Sequence, residues 1–172
     1  MAFSIYDATV PVCAQQLGAM AVIAGKAAEH CATNKIEESA LLNDRLYPDM
    51  FCLARQFRQA ADFGCNTPGR LAGVAAPAFA AVDDTSFAAA KKRCEDAAAF
   101  VSTLTRAQVE GGEDKVISWM AGGNERKMKG IDYVRQFGLP NFYFFCTTAY
   151  DILRHRAVVI GKRDFLGPVN WM

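Results

Sequence analysis

One side of a long helix can be read directly from the first thirty residues. Cys13, Leu17, Met20, Ala24, Ala27 and Cys31 recur at steps of three and four, the spacing that brings side chains onto one face of an α-helix. A stripe of that length has to be covered by other helices or by a sheet, so it constrains everything that follows. Ser4 and Asp7 have capping-box spacing, with Asp where Glu is usual, which predicts a start at Ser4. Pro11 predicts a kink in the first turns or a later start behind Thr9. Thr33-Asn34 end the segment, and a short helical turn is expected around Glu37 to Asn43.

Three more helices are predicted. Pro48 is read as opening the second long one, with Asp49 in its first turn, where the helix dipole favours an anion. Met50, Leu53, Phe57, Ala61 and Gly64 form its apolar stripe, and Pro68 is expected to break or kink it. Gly73 to Asp83 reads as a loop. The third helix is expected from about Asp84 to Leu104. Phe87, Cys94, Ala98, Val101 and Leu104 should face the core, and Lys91, Lys92, Arg93, Glu95 and Asp96 form a solvated face. Lys115 to Met120 and Glu125 to Lys129 flank Gly122-Gly123-Asn124 and predict a hairpin. Helical spacing returns at Ile131. Pro140 is expected to start the last helix, Asn141 to about Arg156, with Phe142, Phe145, Ala149 and Ile152 inward. The tail, Val158 to Met172, is apolar enough at Val158, Val159, Ile160, Phe165 and Leu166 to predict an ordered strap. The fold class is therefore mainly α: a four-helix bundle in one domain over residues 1–172, with a short β-hairpin before the last helix.

Composition narrows the partners. The chain has 172 residues, 52% of them apolar, enough for one core and too few for two ordinary domains. Nineteen basic against eighteen acidic residues leave a net charge of +1 and no bulk attraction to nucleic acid or anionic membrane. The most apolar run, Phe142 to Ala149, is far below the roughly 20 residues of a membrane span. The N-terminus has no basic start followed by an apolar stretch, so no secretory signal is expected. The six cysteines include no CxxC pair and are expected to be reduced, which reads as a cytoplasmic protein. Bundles with aromatic-rich helices often pair, so a closed two-fold homodimer is expected.

Several stretches carry a resemblance: Tyr6-Asp7-Ala8, Arg45-Leu46, Pro48-Asp49-Met50-Phe51 with Gln56, and Arg70-Leu71-Ala72-Gly73. Later come Leu139-Pro140-Asn141-Phe142, Thr147-Thr148-Ala149-Tyr150, Ile152-Leu153-Arg154-His155 and Gly161-Lys162-Arg163-Asp164-Phe165-Leu166-Gly167. Together they resemble an uncharacterised domain-of-unknown-function family within the DinB-like (YfiT-like) helical-bundle superfamily. The resemblance implies the DinB-like four-helix bundle. Better-known relatives bind a divalent metal through three histidines and include thiol-dependent transferases and isomerases. This chain has two histidines, His30 and His155. Gln56 lies near a position where those relatives place a ligand, and an amide is a poor one for zinc or nickel. No metal and no other cofactor are expected.

The candidate site residues follow from spacing. Cys146 and Tyr150 are four apart and share a face of the last helix. Asp49 and Gln56 are seven apart and share a face of the second, if both are helical. Converging, they form a pocket of carboxylate, amide, thiol and phenol, with Tyr150 and Asp49 as proton-transfer groups and Gln56 and Cys146 contacting ligand. Arg45 pairs with Asp49 or binds a ligand carboxylate through its planar fork, and Asn141 is a further binding candidate. Each also has a plain structural reading as a cap, a core filler or a packing anchor. Three functions stand side by side. One is a metal-free protein with an internal pocket for a small, fairly apolar molecule, as a cofactor-independent acid–base isomerase, lyase or cyclase. The others are a non-catalytic binding or dimerisation module and a degenerate metal enzyme.

Overall fold

Ser4 caps the first helix as its spacing predicts. In the computed structural model, which describes residues 4–171, the Ser4 hydroxyl oxygen accepts from the Asp7 N–H (3.4 Å) and the Asp7 carboxylate accepts from the Ser4 N–H (3.1 Å). Arg106 clamps this cap, donating to the Ser4 hydroxyl (2.7 Å) and to Asp7 (2.5 Å). The helix, α1, runs Ile5–Asn34 with Pro11 inside it, so the later start behind Thr9 is not taken. One expectation changes here. An 18-residue window of α1 has a mean hydropathy of 1.3, so this helix is long and apolar enough to cross a membrane. Gln15-Gln16, Gly18, Gly25 and Lys26 divide its apolar residues into short stretches such as Ala19 to Ala24, so no single long run marks it in the sequence. Within this fold, 56% of that window is buried against the other helices.

Besides two 3-10 turns (Ala81–Asp83 and Gly112–Asp114), the remaining elements are α2 (Glu38–Leu42), α3 (Leu53–Ala72), α4 (Phe87–Ser102), α5 (Arg106–Val109), β1 (Val116–Ala121), β2 (Asn124–Lys129), α6 (Gly130–Asp132), a π-helical stretch (Tyr133–Gly138), α7 (Leu139–His155) and α8 (Lys162–Leu166). The bundle is α1 along α4, with α3 packed between α4 and α7 and against α1. Two departures concern α3. It starts at Leu53, not at Pro48, because the chain first turns through Tyr47–Met50 and the Leu53 N–H donates to the Asp44 carbonyl (2.8 Å). It also continues through Pro68, since Thr67, Pro68, Gly69 and Leu71 are all buried and packing holds the last turn. The hairpin is antiparallel, from Val116 opposite Lys129 to Ala121 opposite Asn124. Its turn residues, Gly122 and Gly123, have φ of 58° and 78°, the double left-handed turn that matches strand twist.

The tail lies on α1. Gln15 and Gln16 donate to the carbonyls of Leu166 (2.8 Å) and Phe165 (3.0 Å), and Lys26 pairs with Asp164 (2.7 Å). Val158 and Ile160 are buried, but Val159 between them is 83% exposed, against expectation, because the Ile160 N–H donates to the Val158 carbonyl (2.8 Å) and puts Val159 at the tip of a tight turn. Met172, the end of the expected strap, lies outside the described residues.

Each long helix contributes one cysteine to the bundle centre: Cys13, Cys65, Cys94 and Cys146, all fully buried. Burial pushes the Cys65 and Cys94 thiols up to about 12, far from the thiolate form that reacts. All six cysteines are free, and only Cys52 is partly exposed. Thiol titration without reductant should therefore count six after denaturation. In the native protein one thiol should react fast, and Cys52→Ser should remove that phase. Several fast native thiols would contradict this packing.

Candidate functional site

The residues expected to converge are divided between separate places. Asp49 is exposed on the turn before α3, so it shares no helix face with Gln56. Both nevertheless line a small depression of about 210 Å³ with Met50, Phe51, Phe144 and Phe145. Gln56 is 1% exposed, and its amide donates to the Phe51 carbonyl (2.8 Å) while Oε1 is buried without a partner. Cys146 is fully buried near Cys13 and Cys94, and burial raises its thiol well above the ordinary range. Tyr150 packs edge-on against Phe165, with ring centroids 5.5 Å apart, and lines another depression beside α8. The shared stripe of Cys146 and Tyr150 faces the core centre and the tail, so the four-residue pocket does not form. Arg45 is exposed and donates to the Pro48 and Met50 carbonyls (3.3 Å each), bracing the turn without pairing Asp49. Asn141 donates to the Phe137 carbonyl (2.7 Å), a local helix bond.

A richer constellation sits on α3. Gln59, Asp62, Phe63, Asn66 and Arg70 follow helical spacing and line a cleft of about 510 Å³. The facing walls are the 76–79 loop, Trp119 to Ala121 of β1, and Phe137 of the π-helical stretch. Cavities of that volume suit small-molecule ligands, and π-helical turns recur at functional sites. Arg70 donates to the Tyr133 hydroxyl (2.8 Å), and its guanidinium lies 5.7 Å from the Trp119 ring centroid. Trp119 Nε1 is buried and has no acceptor among the described residues. An aromatic chain, Phe51–Phe145–Phe63–Phe137–Trp119, runs from the small depression to this cleft at centroid spacings of 4.8–6.2 Å.

Asp62 is the chemically unusual member. Burial lifts its carboxyl to about 6 against the opposing pull of Arg58 and Arg93, and Asp84 adds a small push upward. Gln59 donates to its Oδ2 (3.2 Å). The loop wall is tied down from beneath by Arg93. Read from sequence as part of a solvated face, Arg93 is 5% exposed: it donates to Asp84 (2.6 Å) and to the Ala80 carbonyl (3.3 Å). The polar stripe at 59, 62, 66 and 70 was readable beside the apolar one. Its convergence with Trp119 and Phe137 was not, because that depends on where the hairpin folds back.

The three-histidine metal centre of the wider superfamily does not fit these residues. His30 bonds Asn34 near the end of α1, and His155 is the exposed last residue of α7. Among the described residues no group of three or more His, Cys, Asp or Glu has metal-holding geometry. The chain matches the domain-of-unknown-function family DUF1993 over residues 5–166. It belongs to that family. DUF1993 carries no assigned chemistry in its name, and no protein of curated function matches the chain. A crystal structure at 1.83 Å of a DinB family member protein from Shewanella denitrificans is similar to it. The two share 30% identity and a TM-score of 0.87, over 98% of this chain and 94% of that one. The DinB-like fold expected from the sequence is thereby supported.

The raised Asp62 has a measurable consequence. Its folded value of about 6 lies above the ordinary 3.8. Its contribution to stability is therefore fullest below 3.8 and is lost as pH rises through 6. Asp62→Asn, which keeps shape and removes charge, should stabilise the protein at pH 8 by about 1 kcal/mol after allowance for partial solvent screening. The gain should vanish at pH 4. Urea unfolding at both values checks this, and a loss of stability at pH 8 would contradict it.

Proposed function

We propose that this DUF1993 protein binds a small, flat, unsaturated molecule in the Asp62–Arg70–Trp119 cleft and moves a proton on it without a cofactor. The observation that carries the reading is that the lining of one cleft holds both Asp62, whose carboxyl burial raises to about 6, and Trp119, whose buried indole N–H has no acceptor among the described residues. Aromatic walls at Phe63, Phe137 and Trp119 favour a planar ligand body. Trp119 Nε1 and the guanidinium of Arg70 call for a carbonyl or carboxylate oxygen. In such a complex Asp62 accepts a proton from an atom next to that carbonyl and returns it elsewhere on the same molecule. The N–H donors hold the oxygen on which charge builds. The net change is a shifted proton and a shifted double bond, an isomerisation. This keeps the acid–base class expected from sequence and assigns it to residues other than Asp49 and Tyr150.

Fluorescence tests the binding step directly. The chain has two tryptophans, and Trp171 is 86% exposed, so Trp171→Phe leaves Trp119 as the reporter. Titration with flat unsaturated carboxylates, led by 4-hydroxycinnamate, should quench it saturably. Arg70→Gln should weaken binding about tenfold, the loss of one charge-assisted hydrogen bond, and Tyr150→Phe should leave it unchanged. No saturable quenching by any probe, or equal affinity in Arg70→Gln, would refute the reading.

A further inference from the structure

We propose that the small depression at the start of α3 is a separate binding site for a primary alkylammonium group carried on an apolar body. It stands independently of the Asp62 cleft. Three observations carry it. First, Gln56 lines this depression, and its Oε1 is buried with no hydrogen-bond partner, while Nε2 is fixed on the Phe51 carbonyl at 2.8 Å. That bond sets the amide orientation, since the flipped amide would place two carbonyl oxygens together. A buried acceptor left unpaired is costly, and a ligand N–H removes the cost.

Second, the polar side chains among the lining residues are Asp49, exposed at the rim, Gln56, whose carbonyl is an unpaired acceptor, and Met50 with its thioether, and none of them is cationic. Third, the rest of the lining is Phe51, Phe144 and Phe145, with Phe51 and Phe145 stacked at 6.2 Å and Phe144 edge-on to Phe145 at 5.5 Å. Phenyl faces attract cations, and Phe51 already holds one, the Arg55 guanidinium, 3.5 Å from its centroid. Acceptors and π faces together select a donor with positive charge. They disfavour a carboxylate, which meets Asp49 and an unpaired carbonyl. The volume, about 210 Å³, suits an amine fragment more than a full-sized metabolite.

Calorimetry with three probes of one body tests this: 2-phenylethylamine, 2-phenylethanol and 3-phenylpropanoate. The amine should bind and the carboxylate should not, with the alcohol weaker than the amine. Asp49→Asn and Phe144→Ala, both at exposed positions that the fold tolerates, should each weaken the amine about fivefold. Asp62→Asn should leave it unchanged. On binding, the side-chain amide resonances of Gln56 should shift. Failure of the amine to bind, equal binding of all three probes, or an unmoved Gln56 amide would overturn the proposal. Sensitivity to Asp62→Asn in place of Asp49→Asn would overturn it too, because the amine would then sit in the larger cleft.

Discussion

A guanidinium taken out of water has to be given a carboxylate and acceptors, and the way Arg93 is satisfied organises this molecule. It is the only charged side chain that is buried among the described residues. Its partner Asp84 sits in the α3–α4 connection and also takes Arg58 of α3 at 3.4 Å. The Ala80 carbonyl accepts a further bond, and the Phe79 ring lies 6.0 Å from the guanidinium. One ion pair, buried on its Arg93 side, thus joins α3, α4 and the loop between them. Removing one partner of such a pair typically costs about 3–5 kcal/mol, because the other charge is left alone. The loop it holds is the wall of the larger cleft, and the same three charges act on Asp62. Structural anchoring and the electrostatics of the candidate acid are one arrangement.

The helix beside it does two jobs on two faces. Leu53, Phe57, Ala60, Ala61 and Cys65 of α3 are buried in the core, and the opposite stripe carries Gln59, Asp62, Asn66 and Arg70. The core side is packed closely: a Cβ at Gly64 would meet Leu17 and Phe142 side-chain atoms at 2.9 Å. With the helix pressed against α1 and α7 in this way, its polar stripe has a fixed height and rotation relative to the hairpin. Positioning of that kind needs no metal to assemble the site. The similarity to a DinB family member extends over nearly the whole chain, yet a shared bundle leaves the chemistry to whichever side chains occupy this groove.

Periodicity made the bundle legible. The Cys13–Cys31 stripe, the Ser4 cap and the Gly122-Gly123 turn all record short-range physics, and each is found in the fold, whereas Pro140 lies in the first turn of α7 without interrupting a run that is already helical from Gly130 through the π-helical stretch. Three readings failed where tertiary contacts outweighed local preference. Pro48 looked like a helix start but occupies a turn, because the Asp44 carbonyl takes the Leu53 N–H and sets the start later. Pro68 looked like a breaker but is buried inside α3. Arg93, in a run of charges, looked solvated, because nothing local reveals that Asp84 folds back to it. The site was less legible for the same reason. Gln56 and Asp49 were found together, though not through a shared helix face, while Asp62 and Trp119 line one cleft only because a hairpin over fifty residues later brings Trp119 beside Arg70 of α3.

The energetic costs in this fold are not spread evenly. Gln56 Oε1 and Trp119 Nε1 are buried polar atoms without partners, and Asp62 is a carboxyl lifted to about 6 by burial. All three lie along the aromatic chain that borders one side of α3. A further orphan, Glu113 Oε2, belongs to the turn before β1. Elsewhere, polar groups that leave solvent are paired: Thr9 and Thr67 donate to carbonyls one helical turn back, and Arg93 has its carboxylate. Sequences under selection for stability alone remove unpaired buried groups, because apolar replacements of similar shape are neutral or better. Such groups persist where a water, an ion or a ligand completes them or where a function needs them. That two of the three unpaired atoms, with Asp62, belong to residues lining these two depressions is an argument for ligands there, separate from volume or from family resemblance. The two proposed ligands answer them with complementary chemistry: an oxygen acceptor for Trp119 and a nitrogen donor for Gln56.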